Sequence, residues 1–322
     1  MATDLSAGAA AQARPGRFLT SSPAAVAVTA LAVRDSWGKS SRVRVPEAMV
    51  IEDDAAVTRF SEGGATQPAM RSIYDFSARA FNTLVPKGGR VLDLGVGSGH
   101  ALAHFLERRP DVTAIGVDLS EGMLDQARTL MENTGLASRV KLLLADICDL
   151  PDEVHSERID AVCSIWTLHQ LPDEATLAAG LNSVASVRKQ HGSAIWLLDF
   201  QRLSRADTLQ TMLAATDPNY PAGLLQDALD SEAAAFTAAE LREQLVLAGL
   251  GELYHRTTVP LRMMQAAWLP GTRDAADGAT GWVDQPMDEE TEARAAIMRR
   301  AFATSLKAPL PRGKAIAPAA RS

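Results

Sequence analysis

Val91-Leu92-Asp93-Leu94-Gly95-Val96-Gly97-Ser98-Gly99 reads as a strand, a glycine loop and the start of a helix. The apolar run Val91–Leu94 is short and ends at glycines, as a strand buried on both faces does. The glycines let the backbone turn sharply and pass close to a ligand. Leu102, Phe105 and Leu106 follow at i, i+3, i+4 spacing, the apolar stripe of a helix. Free N–H groups at the start of such a helix suit a carboxylate or a phosphate. An ordinary turn also uses glycines, so the loop alone leaves both readings open.

Working outward, the alternation continues. Val112–Val117 predicts a second strand, and Ser120 caps a helix that buries Met123, Leu124, Ala127, Leu130 and Met131. Val140–Leu144, Ile159–Ile165 and Ala194–Leu198 predict three more strands, with a helix over Glu174–Lys189 between the last two. Apolar strands alternating with amphipathic helices mean a doubly wound α/β fold, a mostly parallel sheet covered on both faces. Upstream, Val57 with Phe60, and Ile73, Phe76, Ala80 and Phe81, form two helical stripes separated by Gly63-Gly64. Residues 46–85 are therefore expected to be an N-terminal helical lid. Two short helical patterns, 204–215 and 222–231, joined through Asp217-Pro218-Asn219-Tyr220-Pro221, predict a substrate-facing insertion over 200–235. Thr237 and Glu240 form a capping box, and strands over 252–259 and 261–268 turn back on each other at Pro260. The main domain is thus expected at 46–270. Residues 1–45, Ala-rich with five arginines and two acids, read as a disordered extension, and 271–322 as a polar extension with one helix over Glu289–Lys307.

Composition narrows the function. The formal charge of -7 disfavours an electrostatically driven nucleic-acid binder. The basic cluster Arg34, Lys39, Arg42 and Arg44 reads as a solvated stretch of the tail. No run of about 18 apolar residues suggests a membrane-spanning helix. Cys148 and Cys163 lie in apolar stretches and read as two reduced thiols of a cytoplasmic protein. His100 and His104 have the i, i+4 spacing of metal ligands but no evident third ligand, so no metal is expected.

Three acids sharpen the reading of the loop. Asp93 lies in the first strand, and Asp118 and Asp146 end the second and third. In a doubly wound sheet the carboxyl ends of the strands open on one crevice. An acid after the second strand can grip both hydroxyls of a ribose, and one after the third can accept the amine of adenine. An acid beneath the loop suits an amino group or a water.

Val91–Gly99, Gly116-Val117-Asp118-Leu119-Ser120, Leu144-Ala145-Asp146-Ile147 and Ile159–Pro172 resemble the successive signatures of class I S-adenosylmethionine-dependent methyltransferases, a resemblance running from about residue 70 to 268. The resemblance implies a seven-stranded sheet of order 3-2-1-4-5-7-6, the last strand antiparallel, and S-adenosyl-L-methionine as cofactor. It places Gly95 and Gly97 beside the methionine part and Asp118 on the ribose, with Leu119 and Met123 near the adenine. It turns Asp146 and Ile147 toward the adenine ring, sets Ser164 and Trp166 beside the sulfonium, and makes the segment carrying Tyr74 a cofactor lid. Val96 stands where the family often has a smaller or polar residue. A dinucleotide is the alternative, but its G-x-G-x-x-G fingerprint would need glycine at His100 and would leave Asp146 without a task.

Methyl transfer from a sulfonium needs positioning and exclusion of water, and a base only where the acceptor must lose a proton. His169, just beyond the fourth strand, is the candidate base, with a structural hydrogen-bonding role as its alternative; Asp199 at the end of the fifth strand could also face the acceptor. A small-molecule acceptor is expected, partly by exclusion. No Asn-Pro-Pro-Tyr-type or Pro-Cys sequence of nucleic-acid methylating enzymes follows strand four. A non-catalytic cofactor-binding protein, or methylation of a protein or RNA, are the competing classes. No nucleic-acid or membrane partner is expected, and the oligomeric state is open.

Overall fold

The computed structural model describes residues 22–37, 42–50, 53–218, 220–275 and 281–302. Helix α1 (Ser22–Ser36) leads into an extended strap over 42–50, followed by α2 (Asp54–Thr66) and α3 (Pro68–Asn82). The alternating core is then β1 (Arg90–Leu94), α4 (His100–Arg108), β2 (Thr113–Asp118), α5 (Glu121–Asn133), β3 (Val140–Leu144), the short α6 (Asp152–His155), β4 (Ala161–Ile165), α7 (Glu174–His191) and β5 (Ala194–Phe200). The insertion supplies α8 (Thr208–Thr216) and α9 (Ala222–Ala234). It is followed by α10 (Ala238–Leu247), β6 (Tyr254–Thr257), β7 (Met264–Leu269) and α11 (Glu289–Ala301).

The strands form one sheet in the order β3-β2-β1-β4-β5-β7-β6. β1 pairs in parallel with β2 and β4, whereas β7 runs antiparallel to both β5 and β6. This is the seven-stranded sheet that the sequence implied. Side-chain alternation splits the core in two. Val91, Ala194, Trp196 and Leu198 bury one way, with Phe76 of α3, Leu106 of α4 and Met131 of α5. Leu92, Leu94, Ile195 and Leu197 bury the other way, with Leu177 and Leu181 of α7 and Leu245 of α10. α11 lies on α3, where Phe302 stacks on Phe76 with ring centroids 4.9 Å apart. The capping box at Thr237 forms as its spacing predicts.

Two expectations are corrected. Residues 22–36 and 42–45, read as part of a disordered extension, are ordered. Arg34 pairs with Asp207, Arg42 with Glu232, and Val45 N–H donates to the Ala233 carbonyl. Arg42 is therefore ion-paired to a buried carboxylate rather than solvated, whereas the Arg34 pair is exposed, and Arg44 is bonded to backbone carbonyls described below; Lys39 and residues 1–21 lie outside the described residues. Gly63-Gly64 does not break the helical segment but sits buried inside α2. A Cβ on Gly64 would come within 2.8 Å of the His100 ring, so glycine there permits helix packing. The break comes at Pro68, the first residue of α3. Of the helix expected over Glu289–Lys307, Glu289–Ala301 is formed and 303–307 lie outside the described residues.

Candidate active site

The glycine loop leaves β1 with Gly95, Gly97 and Gly99 all at positive φ. Gly95 combines a φ of 73° with a tight contact. A Cβ there would fall 2.2 Å from the Thr167 methyl, because the loop after β4 packs directly on it. At Gly97 a Cβ would meet only Phe60, at 3.8 Å, so the loop is open on its outer side. That open cradle is what a bound molecule can approach.

Two carboxylates face the loop, Asp93 buried and Asp118 half-buried. Asp118 accepts from Gly97 N–H at 2.8 Å and Ser120 N–H at 2.9 Å, and burial raises its pKa above the usual carboxylate range. Burial, with the neighbouring charge of Asp118, pushes Asp93 up to about 7 against the lowering effect of the Cys163 thiol that donates to it. Two acids held reluctantly charged favour a ligand that brings donors or positive charge.

Asp93, Gly95, Gly97, Asp118, Met123, Tyr74 and Trp166 line one cavity at the loop, roofed by Met49 of the strap and Phe60 of α2. Its volume is about 60 Å³, well below that of an ordinary small-molecule pocket. A nucleoside-sized ligand therefore requires Met49 and Phe60 to move. The other expected cofactor residues lie outside this cavity wall. Ser164 is buried and donates to the Leu94 carbonyl at 3.1 Å, tying β4 to β1. Ile147 is buried in the core against α7, Asp146 accepts from Cys148 N–H at 2.8 Å, and Leu119 is half-buried. His100 lines the loop cavity, whereas His104 turns to Asp75 at 3.5 Å; among the described residues no group of metal-binding side chains forms.

A larger cleft of about 510 Å³ adjoins this cavity and shares Phe60, Trp166 and Gln170 with it. Trp166 stands at the junction with φ of 58°, a strained backbone for a bulky residue. Its ring stacks on Phe200 at 5.5 Å and meets Tyr74 edge-on at 6.1 Å, while its buried Nε1 has no hydrogen-bond partner.

His169 forms the polar wall of the cleft, in the tight turn Leu168–Gln170. Its Nδ1 lies 2.6 Å from Asp199 Oδ1 and its Nε2 lies 3.0 Å from Glu47 Oε1. Its backbone N–H donates to Asp199 Oδ2 at 2.9 Å. Burial by itself would depress the imidazole, but the Asp199 carboxylate, then Glu47, overcome it and raise the group to about 9. The histidine is thus held as an imidazolium between two carboxylates at neutral pH.

Sequence reading found His169 and Asp199 but missed Glu47 and Arg44. The Arg44 guanidinium donates to the carbonyls of His169, Leu171, Pro172 and Ala234 and sits 4.0 Å over the Phe236 ring. It pins the strap to the His169 turn and so presents Glu47. Neither residue has a local signal, since its partners are far away in the chain.

Residues 91–192 match the model of the family described as "Methyltransferase domain". The chain is 30% identical over 142 residues to the phosphatidylethanolamine N-methyltransferase of Cereibacter sphaeroides, a match covering 41% of this chain and 65% of that protein. It is 31% identical over 117 residues to the ubiquinone/menaquinone biosynthesis C-methyltransferase of Geobacter sulfurreducens, covering 35% and 43% respectively. The chain thus spans less than two thirds of the length of these curated relatives. Among solved structures, an O-methyltransferase family protein from Burkholderia thailandensis shares 18% identity, with 80% of this chain and 76% of that one covered and a TM-score of 0.49.

Proposed function

We propose that this chain, whose residues 91–192 form a class I S-adenosylmethionine-dependent methyltransferase domain, transfers a methyl group to a small-molecule acceptor held in the cleft beside His169. One observation carries the proposal. The open glycine loop and the carboxylates of Asp93 and Asp118 bound a cavity that passes, at Trp166, into a cleft with a histidine on its wall. The relatives named above are named for phosphatidylethanolamine and for ubiquinone and menaquinone biosynthesis, which supports a small-molecule acceptor.

When bound, S-adenosylmethionine supplies a methyl group already activated by its sulfonium. The chain's own part is to bind, orient and exclude water. Gly95 and Gly97 would let the backbone lie against the methionine part, and Asp93 would receive a positively charged amino group or an ordered water. Asp118 would exchange its backbone donors for ribose hydroxyls, with Met123 beside the adenine; Leu119, Asp146 and Ile147 would border that end, and Ser164 would keep β4 against the loop. Trp166, with Tyr74 and Phe200 against it, separates the loop cavity from the acceptor cleft and offers its free Nε1 to a ligand. Where the acceptor must lose a proton, the neutral fraction of His169 would take it at Nε2 once the acceptor displaces Glu47 from that nitrogen, while Asp199 holds the ring by Nδ1. With a group titrating near 9, only about one hundredth is free base at pH 7. Among the described residues no helix is long and apolar enough to cross a membrane. The two cysteines, both free, support a cytoplasmic setting.

The test is calorimetric titration of the protein with S-adenosylmethionine, with NAD and Asp118→Ala as controls. Micromolar binding that Asp118→Ala abolishes, with no response to NAD, is expected. Binding of NAD in place of S-adenosylmethionine would overturn the reading.

A further inference from the structure

Behind the acceptor cleft lies a second cavity of about 420 Å³, and its wall is mostly hydrocarbon and thioether. Leu209, Met212 and Leu213 of α8 form one side, Ile297 and Met298 of α11 another, and Met263 and Met264 the floor, with Val28 of α1 across the top. It is not a detached void. Met70, Trp166, Phe200, Tyr220 and Ala228 line both it and the acceptor cleft, so the two meet at the Trp166–Phe200 stack.

The two spaces differ in kind. The cleft presents Glu47, His169, Asp53 and Asp227, whereas the chamber behind it is mostly apolar; of the two arginines at its wall, Arg294 is paired to Asp217 and Glu290 and Arg300 is exposed to solvent. An apolar cavity of this size, left to water, gives water few partners. Methionine and leucine side chains reshape readily around a flexible apolar guest. The position of the chamber also accounts for three elements that the methyl-transfer core does not need. α1, α8 and α11 all lie outside the alternating βα core, and each contributes to this wall.

We infer that the acceptor is an amphiphile, whose methylated polar head sits in the cleft beside His169 and whose apolar chain fills the chamber between α1, α8 and α11. The inference rests on the methyltransferase reading for the head's position; the chamber itself sets the class of acceptor. Combined, the cleft and the chamber match the volume of a drug-sized or larger ligand, most of it apolar.

The experiment uses the full chain and a homologous series of n-alkyl alcohols and n-alkylamines of rising length, with binding read by quenching of tryptophan fluorescence in the presence of S-adenosylmethionine. Affinity is expected to rise about fourfold per added methylene until the chamber is full, the increment of transferring one methylene out of water. Leu213→Trp, which fills the far wall away from the cleft, should cut that rise short, and Ile297→Ala should extend it to longer chains. Neither should change the affinity for S-adenosylmethionine, which also reports that each variant is folded. A series with no dependence on chain length, while S-adenosylmethionine still binds, would overturn the amphiphile and leave the methyltransferase reading standing. Loss of S-adenosylmethionine binding by the unaltered chain would instead overturn the reading beneath it. A chain-length rise unchanged in both variants would place the apolar chain elsewhere and equally refute the chamber.

Discussion

Replacing Glu47 by glutamine keeps the shape of the strap but removes one of the two carboxylates that hold His169. The groups facing the ring are Asp199 from β5 at Nδ1, Glu47 from the strap at Nε2, and the Phe200 ring edge-on at 5.5 Å, while Arg44 donates to the His169 carbonyl rather than to the ring. A hydrogen bond to a charged partner contributes about 1.5–3 kcal/mol. At about 1.4 kcal/mol per pH unit, its loss should lower the imidazole from about 9 by roughly 1–2 units. The neutral fraction at pH 7 then rises about 10- to 50-fold. The assay is an NMR titration of the imidazole resonances of the six histidines, with His169 assigned by its absence in His169→Asn. For an acceptor that must shed a proton, the ascending limb of kcat/KM against pH, set by deprotonation of His169, should move to lower pH with it. The sign for stability follows the same shift. A histidine raised in the folded state contributes stability that is present below its unfolded pKa and lost as pH rises from about 6.5 to about 9. The Tm deficit of Glu47→Gln should therefore be largest near pH 6 and fade above 9. A His169 resonance that titrates at the same pH in both proteins would refute the two-carboxylate account. A kcat/KM limb that stays put while the resonance moves would leave His169 structural.

Two further substitutions probe the loop. Asp93, raised to about 7 by burial, binds its proton more tightly in the folded chain than in the unfolded one, so stability of the ligand-free protein falls as pH rises from about 4 to about 7. Asp93→Asn removes that fall while losing cofactor affinity; parallel curves of Tm against pH for the two proteins would show that the carboxylate is not desolvated as the structure has it. Gly95→Ala adds a Cβ 2.2 Å from the Thr167 methyl at a φ of 73°, and should cost about 1–3 kcal/mol in urea unfolding together with S-adenosylmethionine binding. A stable, cofactor-competent alanine variant would mean that the β1 and β4 loops are not locked together.

The sequence alone determined the parts whose causes are local. Runs such as Val91–Leu94 and Ala194–Leu198 are strands because a short continuous apolar run bounded by turn residues is what a strand buried on both faces needs, and the capping box at Thr237 needs only residues three apart. The glycine loop and the acids of the first two strands were legible for the same reason, since strand polarity alone sends Asp93 and Asp118 to one edge. What the tertiary structure decided lies between distant segments. Gly63-Gly64 looks like a break in sequence, but the close approach of His100 makes it a packing site within a helix. Arg42 and Arg44 read as tail charges until the fold brings Glu232 to one and the carbonyls of the His169 turn, some 125 residues away, to the other. Glu47 inherits its place opposite His169 from that anchor, and the apolar chamber exists only where α1, α8 and α11 converge. Periodicity reports which side of an element is apolar, but not whether that side meets a neighbour or surrounds a cavity, because the difference is made by elements far apart in the chain.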